Sequence, residues 1–249
     1  MFVPGIVSAT FKTESVDYVI DVAKKAGLKA VEWSENHHIK KGDFAFAKES
    51  AEKTADAGLE IAGYGSYYRL GQNMEIRESL DTASALGAKE MRIWAGNTPS
   101  ASLSEEERAA LIEELRTSTK TAESYGIVLN LEWHKNTLTD TNGSGLDTLE
   151  KVSSPWLRTL WQPTQALTFE ERKEGLGMIM PFLSYLHVYY WDETGRRPLS
   201  EGISHWREYF SLLDREKKYY TLLEFVKGDS REQFLADAKV LEELIKGEN

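Results

Sequence analysis

The stretch Ile127-Val-Leu-Asn-Leu-Glu132-Trp-His134 decides the prediction of the fold. It is a short apolar run that follows a glycine at position 126 and ends in an acid and an imidazole two residues apart. Because side chains alternate between the two faces of a strand, Glu132 and His134 lie on the same face. The pattern predicts a buried strand that carries chemistry at its carboxyl end.

Similar short apolar runs alternate with helical segments along the whole chain. The predicted strands are Val3–Ala9, Ala30–Trp33, Glu60–Gly63, Glu90–Trp94, Ile127–Glu132, Leu157–Trp161, Ser184–Tyr189 and Tyr219–Val226. The predicted helices are Ser15–Ala26, Phe44–Ala57, Met74–Leu86, Ser104–Tyr125, Phe169–Met180, His205–Leu213 and Ser230–Lys246. The glycines at positions 27, 58, 87 and 126 each follow a helical segment and precede a strand, where a left-handed cap is expected.

The spacing of these units indicates a parallel barrel. Dividing 249 residues by eight strands gives roughly 31 residues for each strand and helix, which suits a barrel of about 250 residues. The alternative is an open doubly wound sheet, but Gly5 stands alone where that fold usually has a glycine-rich phosphate loop. We therefore predict an α/β protein with a single (β/α)8 TIM barrel over residues 1–249.

Composition excludes several classes of function. The 30 Lys and Arg against 40 Asp and Glu give a net charge of −10, which argues against nucleic-acid binding. With no cysteine there is no disulfide or thiolate, so a metal would need carboxylate, amide and imidazole ligands. The chain starts without a secretion signal and contains no long apolar run, so we expect a cytoplasmic protein that does not bind membranes.

Four consecutive predicted strands carry a polar residue near the carboxyl end: Glu132, Gln162, His187 and Glu224. This oxygen-rich set suits Mn²⁺ or Mg²⁺ best, with Zn²⁺ or Co²⁺ as further options. Each residue also has a structural interpretation, for example an ion pair of Glu132 with Arg92. The four together favour a functional site, because burying unpaired charge is costly.

The same residues carry a resemblance to a known family. The segments 129–141, 186–192 with 197–202, and 223–226 resemble strand regions of the xylose isomerase-like sugar isomerases and epimerases, which are TIM barrels. The resemblance implies a divalent metal held by Glu132, His187 and Glu224, with the two glutamates also moving protons. This chain has Gln162 and Gln165 where metal-binding epimerases typically carry an aspartate and a histidine, which should weaken metal binding.

Further candidates for substrate binding lie near the same strand ends: His134, Arg197, Trp94, Gln165 and Tyr64. Aromatic residues at such positions are more often packing, and loop arginines are usually solvated. The expected partner is a small carbohydrate, and exposed aromatics with the habit of the family suggest a homo-oligomer.

The leading hypothesis is a sugar isomerase or epimerase that forms a metal-stabilised enediolate, with Glu132 and Glu224 as the proton-transfer pair. The first alternative is a metal-dependent lyase or dehydratase that acts on a keto sugar or glycoside. The second is a barrel that binds sugar without turning it over. A DNA-repair endonuclease, conceivable within the same superfamily, is disfavoured by the net charge of −10.

Overall fold

A computed structural model describes residues 1–247, so residues 248 and 249 of the predicted domain lie outside the described residues. Eight parallel strands close into a barrel. They are β1 (Phe2–Val7), β2 (Ala30–Ser34), β3 (Glu60–Arg69), β4 (Glu90–Trp94), β5 (Val128–Glu132), β6 (Leu157–Trp161), β7 (Leu183–Val188) and β10 (Tyr219–Leu223). Strand β1 pairs with both β2 and β10, which closes the ring. The prediction of a (β/α)8 barrel is confirmed.

Eight α-helices accompany the strands in the described residues: α1 (Val16–Lys25), α2 (Phe44–Asp56), α3 (Ile76–Leu86), α4 (Glu105–Tyr125), α5 (Asn142–Val152), α6 (Phe169–Ile179), α7 (Ile203–Ser211) and α8 (Arg231–Lys246). Helix α4 begins at a capping box between Ser104 and Glu107 and ends at Gly126 in the left-handed conformation. Gly87 ends α3 in the same way, as the sequence predicted.

Two elements were not predicted. Helix α5 contains Gly143 and Gly145, which weaken the helical signal in the sequence. After β7 the chain forms a small antiparallel hairpin of β8 (Tyr190–Asp192) and β9 (Gly195–Arg197). The hairpin lies at the carboxyl end of the barrel strands, where active sites of this fold are built.

The apolar core has two layers. Most buried apolar residues fill the space between strands and helices. A smaller cluster fills the inside of the barrel with residues that include Val3, Ala30, Leu160, Tyr185 and Leu222. No helix within residues 1–247 is long and apolar enough to cross a membrane.

Candidate active site

Polar side chains lie directly above the inner apolar layer, because each follows an inner-layer residue by two positions along its strand. Glu32 follows Ala30, Gln162 follows Leu160, His187 follows Tyr185 and Glu224 follows Leu222. Arg92 on β4 and Glu132 on β5 belong to the same level, since their side chains form an ion pair. The alternation that builds the core therefore also builds a buried polar cluster.

A cavity of about 130 Å³ opens above this cluster. Five of the predicted site residues line it, namely Glu132, His134, Gln162, Gln165 and Glu224. The remaining lining residues are Lys135, Thr164, Tyr189, Trp191 and Phe225. His187 is fully buried and does not line the cavity. The structure thus brings the predicted acids and amides to a single concave site at the carboxyl end of the barrel.

His187 lies between two carboxylates. Its Nε2–H donates to Oε2 of Glu32 at 3.1 Å, and its Nδ1 lies 3.4 Å from Oε2 of Glu224. Burial alone would lower the pKa of His187, but Glu224 and Glu32 outweigh it and raise this pKa to about 10. His187 is therefore an imidazolium ion in the arrangement described.

Arg92 supplies the second buried cation. Its NH1 lies 3.2 Å from Oε2 of Glu132, and its NH2 donates to the carbonyl of Ser66 at 3.2 Å. Burial opposes the charge, but Glu132 and Glu32 more than offset it and raise the pKa of Arg92. The structural interpretation of Glu132 as the partner of Arg92 therefore describes an actual contact.

Gln162 acts as a donor towards Glu132. Its side-chain Nε2 donates to Oε1 of Glu132 and to the backbone carbonyl of Trp133, both at 3.0 Å. Both neighbours only accept hydrogen bonds, which fixes the orientation of the amide with its nitrogen towards Glu132. Glu132 thus accepts a hydrogen bond from Gln162 through Oε1 and is in ion-pair contact with Arg92 through Oε2.

His134 stands at the rim of the cavity. Its ring stacks on Trp94 with centroids 4.8 Å apart, and its Nδ1–H donates to the carbonyl of Lys135 at 2.7 Å. The backbone N–H of His134 donates to Oγ1 of Thr139 at 3.2 Å, which ties the loop after β5 together. These contacts use Nδ1 and the backbone N–H of His134, and they leave Nε2 for contact with a ligand.

Three predicted substrate-binding residues do not line this cavity. Tyr64 is fully buried in the outer apolar layer, and its hydroxyl donates to the carbonyl of Ile39. Arg197 is engaged by Glu201 on the hairpin side of the barrel. Trp94 does not line the cavity itself, but its ring stacks on the ring of His134. For Tyr64 and Arg197, no contact with the cavity supports the predicted role.

Glu32 belongs to the buried polar cluster but was not predicted from the sequence. It sits on β2 with no exposed surface and contacts His187 across the barrel. A signal was present, since Glu32 interrupts the apolar run Ala30-Val-Glu-Trp33 as Glu224 interrupts the run from Thr221 to Val226. Glu132 and Gln162 stood out because they lie at strand ends, whereas Glu32 lies inside a short strand.

The predicted metal ligands do not fit a metal in this arrangement. His187 Nδ1 and Oε2 of Glu224 lie 3.4 Å apart, so these two residues are close enough to bind the same metal ion. However, Glu132 is engaged by Arg92, and Gln162 presents a nitrogen that cannot coordinate a cation. Within residues 1–247, no group of three or more His, Asp or Glu is arranged to hold a metal ion.

The fold and the cluster define a (β/α)8 barrel with acid and imidazole groups at the carboxyl ends of its strands. The family model of the xylose isomerase-like TIM barrel matches residues 20–244. The chain belongs to this family of enzymes, as the resemblance of its strand segments predicted.

The proteins that this chain resembles differ in their named activities. A 3-dehydroshikimate dehydratase of Bacillus anthracis is 21% identical, with 95% of each chain covered. The crystal structure of the probable 3-DHS dehydratase from the same organism has a TM-score of 0.83 at 20% identity, covering 97% of this chain and 99% of that one. An L-ribulose 3-epimerase has a TM-score of 0.76 at 14% identity, covering 99% and 95%. The IolI protein, solved with a bound zinc atom, has a TM-score of 0.71 at 13% identity, covering 98% of each chain.

Proposed function

We propose that this protein is an enzyme that removes a proton from the carbon beside a carbonyl group in a small polyhydroxylated compound. The observation that carries the proposal is the unequal environment of two glutamates on the same cavity. Glu132 accepts a hydrogen bond from Gln162 through Oε1 and forms an ion pair with Arg92 through Oε2, whereas Glu224 forms an ion pair only with His187, at 3.4 Å, within residues 1–247. Glu224 therefore acts as the base, and Glu132 is held in place by Arg92 and Gln162.

An elimination reaction needs one carboxylate base, which here is Glu224. Glu224 takes the proton, and the negative charge moves to the carbonyl oxygen, where the exposed ammonium group of Lys135 at the cavity rim can stabilise it. The enolate then expels the hydroxyl group on the next carbon as the new double bond forms. His134 acts as the general acid and gives a proton from Nε2 to the departing oxygen, so that water leaves. The named dehydratase relative, matched over 95% of both chains, supports this dehydratase activity.

Epimerisation or isomerisation is the second candidate. Glu132 lines the same cavity as Glu224, so two carboxylates face one ligand. If Glu132 released Arg92, it could return the proton to the opposite face of the enolate. The relatives named as sugar epimerases support this alternative.

The proposed substrate class is a keto sugar or a related cyclic hydroxy ketone. The Mn²⁺ or Mg²⁺ expected from the sequence stays a prediction, and the contacts of Glu132 with Arg92 and Gln162 count against it. The cytoplasmic location and the homo-oligomer also stay predictions.

The test is incubation of the protein in D₂O with ketohexoses, 3-keto sugars and 3-dehydroshikimate, followed by mass spectrometry and NMR. Dehydration is expected to yield a conjugated enone or an aromatic product with loss of one water, whereas epimerisation loses no water and replaces one carbon-bound hydrogen by deuterium. The matched control is Glu201→Gln, on an exposed ion pair with Arg197. Absence of both exchange and product across the panel would refute the proposal.

A further inference from the structure

Three carboxylates meet at the polar centre of the barrel. Glu32, Glu132 and Glu224 are each at most 5% exposed. Buried anions are strongly unfavourable unless cations and hydrogen-bond donors face them. In the described part of the chain, Arg92 and His187 are the cations in ion-pair contact with these carboxylates.

We infer that Arg92, rather than a divalent metal, supplies the fixed positive charge at this centre, and that Gln162 holds the site in that form. The inference deepens the proposed function, and it rests on that function only for the role of the charge in the reaction. It differs from the metal binding that the family resemblance implies, and it is based on the contacts between residues of this chain.

The backbone around Arg92 leaves room for this arrangement. A methyl group on Gly65 of β3 would lie 2.7 Å from Oε1 of Glu32 and 3.4 Å from NH2 of Arg92. Only glycine therefore leaves the Glu32 carboxylate and the guanidinium undisturbed. The neighbouring carbonyl of Ser66 accepts from the same NH2, which directs the guanidinium towards Glu132.

Gln162 is the second residue that favours a metal-free centre. An aspartate here would add a fourth anion and could not donate to the carbonyl of Trp133, whereas the amide of Gln162 donates to that carbonyl and to Glu132. The amide thus adds a donor where an aspartate would add charge. Without this anion there is less need for a dication, because Arg92 and His187 already contact the three remaining carboxylates.

A guanidinium differs from a metal in its chemistry. It is always charged, it cannot be removed by a chelator, and it binds a carboxylate through N–H groups. Arg92 does not line the cavity, so it is a positioning residue that holds the Glu132 carboxylate in place. A chelator should therefore leave the protein unchanged.

The inference is tested by metal content, which requires no substrate. Wild type, Gln162→Asp, and the double variant Arg92→Gln with Gln162→Asp are purified without chelator and analysed by elemental mass spectrometry. Mn²⁺ binding is measured by calorimetry, and the melting temperature is measured with Mn²⁺ or EDTA. Circular dichroism checks that each variant is folded, and Gln162→Asp serves if the double variant does not fold.

Wild type is expected to carry less than a tenth of an equivalent of divalent metal and to melt at the same temperature with Mn²⁺ or EDTA. The double variant is expected to bind Mn²⁺ at least tenfold more tightly than wild type, with Gln162→Asp between them. Near-stoichiometric metal in wild type, lost in Glu132→Gln and His187→Ala, would overturn the inference. So would folded variants that gain no affinity. Failure of the D₂O assay with a metal-free wild type would remove the proposed function alone.

Discussion

His187 reaches across the inside of the barrel to Glu32, with 3.1 Å between Nε2 and Oε2, although 155 positions separate the two residues. Their strands, β7 and β2, are not neighbours in the barrel. Neither side chain has exposed surface. The pair therefore joins two non-adjacent strands across the inside of the barrel, and it connects the proposed base Glu224 to a second carboxylate through one imidazole.

Replacing Glu32 with glutamine should destabilise the protein. The neutral amide leaves His187 as a buried cation that faces Glu224 alone, and breaking a buried pair typically costs about 3 kcal/mol or more. Urea unfolding at pH 7 measures the loss. The matched control is Glu60→Gln, on an ion pair that is half exposed, where about 0.5 kcal/mol is expected. Equal losses in both variants would mean that the pair across the barrel contributes little.

Removal of the base should affect turnover more than stability. Glu224→Gln keeps the size of the side chain but cannot accept the substrate proton, so the exchange rate should fall by about 10²- to 10⁴-fold. The rate of deuterium incorporation measures this fall. Full exchange by this variant would assign the base elsewhere.

Glycine at position 65 should be needed for the charged centre. Gly65→Ala places a methyl group 2.7 Å from Oε1 of the buried Glu32, and overpacking of this kind costs about 2 kcal/mol. Gly143→Ala is the matched control, because no atom lies within 4 Å of the added methyl group. That control lies in α5 and should gain up to about 1 kcal/mol. Thermal unfolding compares the two, and a stable Gly65→Ala variant would show that the cluster yields easily.

The barrel was predictable because its signals are local. The predicted strand Leu157–Trp161 coincides with an observed strand, because residues that are neighbours in the sequence determine its length and its burial. Helix α5 was missed because Asn142, Gly143 and Gly145 are poor helix formers, and packing stabilises them against Trp133 and neighbouring helices.

Several residues that line the cavity could be predicted from the sequence, but their partners could not. Strand-end polarity indicated Glu132, Gln162 and Glu224, which all line one cavity. The pairing of Glu132 with Arg92 and the amide orientation of Gln162 depend on side-chain geometry across strands. A strand pattern fixes the face of a residue and its depth, but it does not decide which of several oppositely charged neighbours it contacts.

A buried histidine outside the cluster should make stability depend on pH. His38 is 7% exposed, and its ring packs edge-on against Trp33 with centroids 5.8 Å apart. Burial, with a smaller contribution from His37, lowers the pKa of His38 from 6.5 to about 4. In the unfolded chain its pKa returns to about 6.5, so between pH 6.5 and 4 the unfolded state binds more protons.

Stability should therefore be complete above pH 6.5 and fall as the pH drops towards 4, by about 3 kcal/mol from this residue alone. Urea unfolding at pH 7, 5.5 and 4.5 gives the slope, and His38→Gln should remove most of this contribution because glutamine does not titrate. Proton NMR of the His38 ring gives the folded pKa directly. Equal slopes in wild type and variant, or a ring that titrates near pH 6.5 in the folded protein, would show that His38 is protonated as readily in the core as in water.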